Sequence, residues 1–299
     1  MKPLVSVSVV TYNHKNYIAQ CLDGILMQKT SFPFEIILGE DASNDGTRAI
    51  CKAYAEKFPD KIRLFLRSRK DVIKINGNPT GRFNMLENIK AVKGKYIALC
   101  EGDDYWSDPL KLQKQVDFLE ANTDYGICFH KISVFNQNKR MLEQDVITRS
   151  VPETTTITEL AKGNYIHTPS VMLRNDFKIP HWFKKSPLGD WTLYMIAIQD
   201  RKIKKLEDVM AVYRQQDNGV WSGKSRKKRM LMTLKSFTLV YENVGLDTVA
   251  HENLKREIKQ LKAAFKKSYG FKFNLKDKLK KIIYPSYRSI KSLIKSSKD

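Results

Sequence analysis

Lys95-Tyr96-Ile97-Ala98-Leu99-Cys100-Glu101-Gly102-Asp103-Asp104-Tyr105-Trp106 runs from a short apolar segment straight into a loop with three carboxylates. The stretch Lys95–Cys100 reads as a buried strand, and the apolar spacing that follows predicts a helix over Pro109–Asn122. Toward the N-terminus the same alternation recurs. Strands are predicted at Leu4–Val10, Phe34–Leu38 and Ile62–Leu66. Helices are predicted at Tyr17–Leu26, Thr47–Phe58 and Phe83–Val92. Strands joined by helices of this length favour an α/β fold, a parallel sheet with helices on both faces, and such sheets bind ligands at the carboxyl ends of their strands. The loops after Val10, Leu38 and Cys100 are where chemistry is expected.

Toward the C-terminus the pattern loosens after Gly126–Phe135. A Thr-rich segment Thr154–Thr158, a strand His167–Leu173, a helix opening at Asp190 and a strand Ile203–Tyr213 are expected. From Arg226 the chain reads as helical, with only Gly245, Gly270 and Pro285 as breakers. We place a boundary near Gly223, dividing the chain into 1–223 and 224–299. No repeat of 20 to 50 residues is visible.

At 299 residues and 42% hydrophobic, the chain is not disordered as a whole. Its formal net charge is +21, and residues 224–299 hold 21 basic against 6 acidic residues. Polyanions, anionic membranes or phosphorylated ligands are the partners such charge suggests. Cys21, Cys51, Cys100 and Cys128 are far apart and show no zinc spacing, so a reduced cytosolic chain is expected. No apolar run approaches the roughly 18–20 residues that a membrane-spanning helix needs. Asn13, His14 and Lys15 interrupt the apolar start, so no export signal is read.

Three acidic loops stand out. In Glu40-Asp41-Ala42-Ser43-Asn44-Asp45-Gly46-Thr47, the residues Asn44, Asp45 and Thr47 suit a turn and helix cap. Glu40 and Asp41 precede that cap, where a carboxylate is able to accept an N–H from a nucleobase. Asp103 and Asp104 repel each other unless a cation compensates, and Mg²⁺ or Mn²⁺ held there would complete its shell with diphosphate oxygens. A helix entrance is the alternative use, but Asp108 before Pro109 suffices for capping. Gly189-Asp190-Trp191 opens the next helix, where Asp190 either caps it or serves as a general base.

Val9-Val10-Thr11-Tyr12-Asn13, the segment from Glu35 to Thr47, Gly94-Lys95-Tyr96-Ile97 leading into Asp103-Asp104, and Gly189-Asp190-Trp191 together resemble the family-2 glycosyltransferases of the GT-A fold. The likeness covers about residues 3–223. It implies a GT-A Rossmann-like, mostly parallel sheet with helices on both faces, followed here by a C-terminal helical basic extension. It also implies inverting transfer from a nucleotide sugar, so an α-linked donor gives a β-linked product. Carried onto this sequence, Thr11 and Tyr12 line the base pocket and Asp41 accepts the N–H of a uracil-like base. Asp103 contacts the ribose or the metal, Asp104 ligates the metal bridging the phosphates, and Asp190 is the catalytic base.

Two departures accompany the resemblance. Relatives place Arg where the alignment puts Asn84; Arg82 is close, and one of the two is expected at the donor. Relatives also often carry Tyr-Arg-x-His near the diphosphate, whereas Tyr213-Arg214-Gln215-Gln216 supplies Gln216, an amide that cannot carry charge.

Gly223-Lys224-Ser225 resembles the end of a phosphate-binding P-loop, but Asn218 replaces the first glycine, and Val220 and Trp221 are bulky. The preferred reading has Trp221 closing over donor or acceptor, with Arg214 and Lys224 offsetting diphosphate charge. From Leu275 to Lys295, apolar residues at helical spacing alternate with lysines, and Pro285 divides the stretch. Such a face suits an anionic bilayer and a lipid-linked glycan acceptor, which would make the protein peripheral at the inner membrane surface; packing against the first 223 residues is the alternative. Nucleic-acid binding competes on charge alone, but no reading motif accompanies it and no specific nucleic acid is expected. A dinucleotide-dependent oxidoreductase is disfavoured because Thr11–Lys15 contains no glycine.

Overall fold

The structure is a computed structural model and describes residues 2–145, 148–215, 221 and 223–270. The first half alternates strand and helix: β1 (Val5–Thr11), α1 (Ile18–Leu26), β2 (Phe34–Glu40), α2 (Thr47–Lys57) and β3 (Ile62–Leu66). After a small hairpin, β4 (Lys74–Ile75) and β5 (Asn78–Pro79), come α3 (Arg82–Ala91), β6 (Tyr96–Glu101), β7 (Tyr105–Trp106) and α4 (Lys111–Ala121). Then follow β8 (Tyr125–Asn136), β9 (Met141–Gln144), β10 (Thr154–Thr155), α5 (Ile157–Leu160) and β11 (Met172–Arg174). The described chain closes with α6 (Gly189–Ala197), β12 (Lys202–Gln215), α7 (Arg226–Asn243) and α8 (Thr248–Tyr269).

The main sheet has the order β10-β12-β8-β11-β6-β1-β2-β3. The pairs β6–β1, β1–β2, β2–β3 and β8–β12 are parallel, while β11 is antiparallel to both its neighbours. Two-residue periodicity divides the strands between two cores. Val5, Val7, Val9, Tyr96, Ala98 and Cys100 face one core with α1, α2 and α4. Ile97, Leu99, Ile127 and Phe129 face the other with α3, α5, α6, α7 and α8. The mostly parallel sheet with helices on both faces is the architecture expected from the sequence.

Helices α7 and α8 contribute Leu234, Phe237, Val240, Ala250, Leu254 and Ile258 to the same core as Trp191. The described part of the basic region therefore packs on the rest of the chain. The stretch Leu275–Lys295 lies outside the described residues.

The predicted strand His167–Leu173 is corrected. Thr168–Ser170 form a 3₁₀ turn, and only Met172–Arg174 pair in the sheet. Pro169 has no N–H to give a ladder, and Ser170 Oγ turns back to the His167 carbonyl at 2.7 Å. Asp108 does not cap α4 directly. It accepts the Leu110 N–H at 2.7 Å in the turn before that helix, which starts at Lys111.

Candidate active site

The strands β6, β1 and β2 are neighbours, with Val10 level with Glu101 and Thr11 level with Glu40. Parallel pairing in that register brings the loops after all three strands to one edge of the sheet.

Glu101, the last residue of β6, joins Asp103 and Asp104, and one carboxylate oxygen from each lies within 4.8 Å of the others. Asp104 is buried. Its Oδ1 accepts the Arg214 backbone N–H at 2.8 Å, while its Oδ2 is buried without a protein partner. Asp103 Oδ2 stands 3.9 Å from His14 Nε2. Burial first, then Asp103 and Glu101, hold the Asp104 carboxyl well above the usual carboxylate range. Burial, then Asp103 and Asp190, push Glu101 up to about 8. Three crowded carboxyls with one unpartnered buried oxygen fit a hard divalent cation by their all-oxygen chemistry. The sequence alone assigned the cation to Asp103 and Asp104; Glu101, at the end of β6, joins them.

Thr11 is buried beside this loop, and its Oγ1 has no partner. A Cβ at Gly102 would stand 2.6 Å from Thr11 Oγ1 and 2.9 Å from His14 Nδ1, so only glycine lets the acidic loop pass so close to β1.

Asp41 donates its backbone N–H to the Thr11 carbonyl at 3.0 Å. Its Oδ2 accepts Arg69 Nη1 at 2.6 Å, and its Oδ1 is buried without a partner. The Arg69 guanidinium also lies 4.1 Å from the centre of the exposed Tyr12 ring. Burial raises the Asp41 pKa, and the Arg69 charge opposes that rise. An unpartnered acceptor oxygen near an aromatic ring suits a planar heterocycle with an N–H. Arg69 was not anticipated; it sits in a 3₁₀ turn, Arg69–Asp71, that no motif marks.

Glu40 is spent on structure: it is buried, ion-paired to Arg48, and accepts the Ser43 N–H at 2.6 Å. Asp45 holds its turn as expected, accepting the Thr47 N–H at 3.0 Å and the Lys15 N–H at 3.0 Å.

Asp190 is the second residue of α6, and Leu188 occupies the cap position. Its Oδ2 accepts Asn164 Nδ2 at 3.2 Å. Burial raises its pKa, opposed by the Trp191 N–H and by Arg82. Arg82 is buried under that first turn, its Nη2 donating to the Ser186 carbonyl at 2.9 Å and its guanidinium 4.5 Å from the Phe183 ring centre. Asn84 points elsewhere: it is buried, and its Nδ2 donates to the Gly39 carbonyl at 2.7 Å, tying α3 to β2. The structure thus separates the two, with Arg82 beside Asp190 and Asn84 against the sheet.

The Arg214 guanidinium is hydrogen-bonded to Gln20 and lies among the rings of Tyr17, Tyr105 and Phe135, 4.9–5.3 Å from their centres. Trp221 is exposed, and Ser225 caps α7 by accepting the Lys228 N–H at 3.3 Å. Gln216 lies outside the described residues.

A family model described as "Glycosyl transferase family 2" matches residues 6–179. The uncharacterized protein Rv1520 of Mycobacterium tuberculosis is 30% identical over 253 residues, which is 85% of this chain and 70% of that protein. Among solved structures, S. aureus TarS 1-349 in complex with UDP-GlcNAc gives a TM-score of 0.61 at 20% identity, covering 91% of this chain and 75% of that one. The mannosyltransferase PcManGT from Pyrobaculum calidifontis, in complex with GDP-Man and Mn²⁺, gives 0.58 at 16% identity, covering 98% and 84%. At these identities, the two structures establish the likeness of fold.

Proposed function

The chain belongs to glycosyl transferase family 2, and from that premise we propose metal-dependent, inverting transfer of a sugar from a UDP-sugar to a hydroxyl of a glycan acceptor. The observation that carries the reading is the carboxyl cluster Glu101, Asp103 and Asp104, with its unpartnered buried oxygen, at the sheet edge that also holds Asp41.

Glu101, Asp103 and Asp104 would hold Mn²⁺ or Mg²⁺. When bound, such an ion supplies the positive charge that stabilises a departing diphosphate. Tyr12 and Asp41 take the base, Arg69 orients Asp41 and favours its ionised form, and Thr11 lines the pocket floor. Asp190 removes the proton from the acceptor hydroxyl as its oxygen attacks the anomeric carbon. Attack from the face opposite the leaving group inverts that carbon. Arg82 acts through Asp190, whereas Arg214, Gln216 and Trp221 are assigned to the diphosphate and acceptor side. A hexosyl or N-acetylhexosaminyl donor is the class we favour.

We assign residues 1–223 to transfer, with the apolar faces of α7 and α8 spent in its core, and the remaining basic surface of 224–299 to docking on an anionic, cytoplasmic membrane face, where a lipid-linked acceptor for surface polysaccharide or glycoconjugate synthesis would be met. Charge distribution supports this. Lys227 lies 5.2 Å from the Tyr269 ring centre, so the start of α7 (Arg226-Lys227-Lys228-Arg229) meets the end of α8 with Lys266 and Lys267. No described helix is long and apolar enough to cross a membrane.

A thermal-shift screen of nucleotide sugars with and without Mn²⁺, followed by assay of nucleotide release, tests the reading. Stabilisation by a UDP-sugar that needs Mn²⁺ is expected; indifference to every donor, with or without Mn²⁺, contradicts it.

A further inference from the structure

Asn164 is exposed in the turn that follows α5, yet both ends of its amide are engaged. Its Oδ1 accepts the Ile166 N–H at 3.1 Å, and its Nδ2 donates to Asp190 Oδ2 at 3.2 Å. A flipped amide would set NH₂ against N–H at one end and carbonyl against carboxylate at the other, so the two neighbours fix its direction.

The turn is itself fastened to α6 and to the preceding segment. Trp191 Nε1 donates to the Leu160 carbonyl at 3.0 Å, and Arg149 Nη2 donates to the Glu159 carbonyl at 3.1 Å and the Gly163 carbonyl at 3.4 Å. Gly163 has a φ of +132°, which an L side chain rarely adopts, and this lets the chain turn Asn164 toward the carboxylate. The turn that carries Asn164 is thus held by three hydrogen bonds besides its own two, so the amide stands against Asp190 in a fixed place.

We propose that Asn164 is a positioning residue for Asp190, holding one carboxylate oxygen so that the plane of the group is set before the acceptor hydroxyl arrives. The proposal rests on the reading of Asp190 as the base. The other ionisable groups whose charge reaches Asp190 are Arg82 from α3, His167 from the segment before β11, Glu101 from β6, Tyr213 from β12 and Tyr194 within α6. Asn164 is uncharged, so its removal leaves that charge set unchanged. A bond donated to the ionised form lowers a carboxyl's pKa, and its loss raises it.

The test uses the full chain with Asn164→Ala, Asn164→Asp and Asp190→Asn, measuring kcat, the KM for donor and acceptor, and the pH profile of kcat. Asn164→Ala is expected to lower kcat about tenfold with donor KM unchanged, and to move the acidic limb of the profile up by about half a unit. Asn164→Asp is expected to move that limb further, because a second negative charge faces the base. An inactive Asp190→Asn alongside an Asn164→Ala enzyme of wild-type kcat and profile overturns the proposal and leaves the base assignment standing. A lower kcat with an unmoved profile and a raised acceptor KM also overturns it, making Asn164 an acceptor contact. An active Asp190→Asn enzyme removes both the base assignment and the proposal.

Discussion

Asp104 accepts the backbone N–H of Arg214 at 2.8 Å, joining the acidic loop after β6 to a strand 110 residues later in the chain. The same strand pairs with β7, Trp106 opposite Ala211 and Tyr105 opposite Val212. With the Gly102 N–H bonded to the Val10 carbonyl at 3.0 Å, the loop is fastened on both sides of Asp104, and one carboxyl oxygen is fixed by the protein while the other is offered, buried, to a ligand. One carboxylate is thus divided into a structural and a binding oxygen.

Asp104→Asn keeps the acceptor oxygen for Arg214 but loses the charge. Turnover should fall at least about 100-fold and should cease to respond to Mn²⁺, since removing a charge-stabilising group from such a site typically costs that much. Steady-state rates against Mn²⁺ concentration check this; a wild-type rate would remove Asp104 from the metal site.

Metal and pH should be linked. Glu101 is pushed up from its ordinary 4.5 to about 8, so between those values the metal-free folded state holds a proton that the unfolded chain has released. Its contribution is present below about pH 4.5 and is lost as pH rises toward 8. The raised Asp104 acts in the same direction. Melting temperatures at pH 5.5 and 8 should show Mn²⁺ stabilising the protein more at the higher pH; equal stabilisation would indicate that the ion binds elsewhere.

Asp41→Asn should weaken the donor far more than it slows transfer. With Arg69 holding the amide oxygen, the amide NH₂ would face the base N–H, donor against donor. A donor KM raised about tenfold or more, with kcat within about threefold, is the expected outcome. Calorimetry of UDP binding gives an independent check, and unchanged affinity would displace Asp41 from the base pocket.

Gly189→Ala sets two effects against each other. Alanine favours a helix over glycine by about 1 kcal/mol. Its Cβ would stand 2.1 Å from Arg82 Nη1, and the guanidinium is buried and bound to the Ser186 carbonyl. Overpacking costs typically about 1–3 kcal/mol, so the variant should be less stable and, with Arg82 displaced from Asp190, slower. Denaturant unfolding and kcat measure the two; a more stable, fully active variant would show that Arg82 moves freely.

The alternation of apolar strand and amphipathic helix from Leu4 to Asn122 was legible because short continuous apolar runs alternate with segments whose apolar residues recur every three or four positions. Asp41, Asp104 and Asp190 could be marked as candidates for a related reason: each stands where a strand ends or a helix begins. The unread residues lack such local marks. Arg69 reaches Asp41 across 28 positions, and Asn164 reaches Asp190 across 26, contacts that only tertiary packing creates. Asn84 was misplaced because a helical residue's face depends on what the helix packs against, here the Gly39 carbonyl. The apolar run Val171–Leu173 carried the predicted strand back over the 3₁₀ turn at Thr168–Ser170, although Pro169 stood against it.

Anomalous scattering from manganese in crystals soaked with MnCl₂ and UDP decides whether the carboxyl cluster holds the ion. A peak is expected at coordination distance, about 2.2 Å, from Asp104 Oδ2 and at least one further oxygen of Glu101 or Asp103, with diphosphate oxygens completing the shell. Bound UDP with no peak at this cluster, and the three carboxyls turned to protein partners, would contradict it.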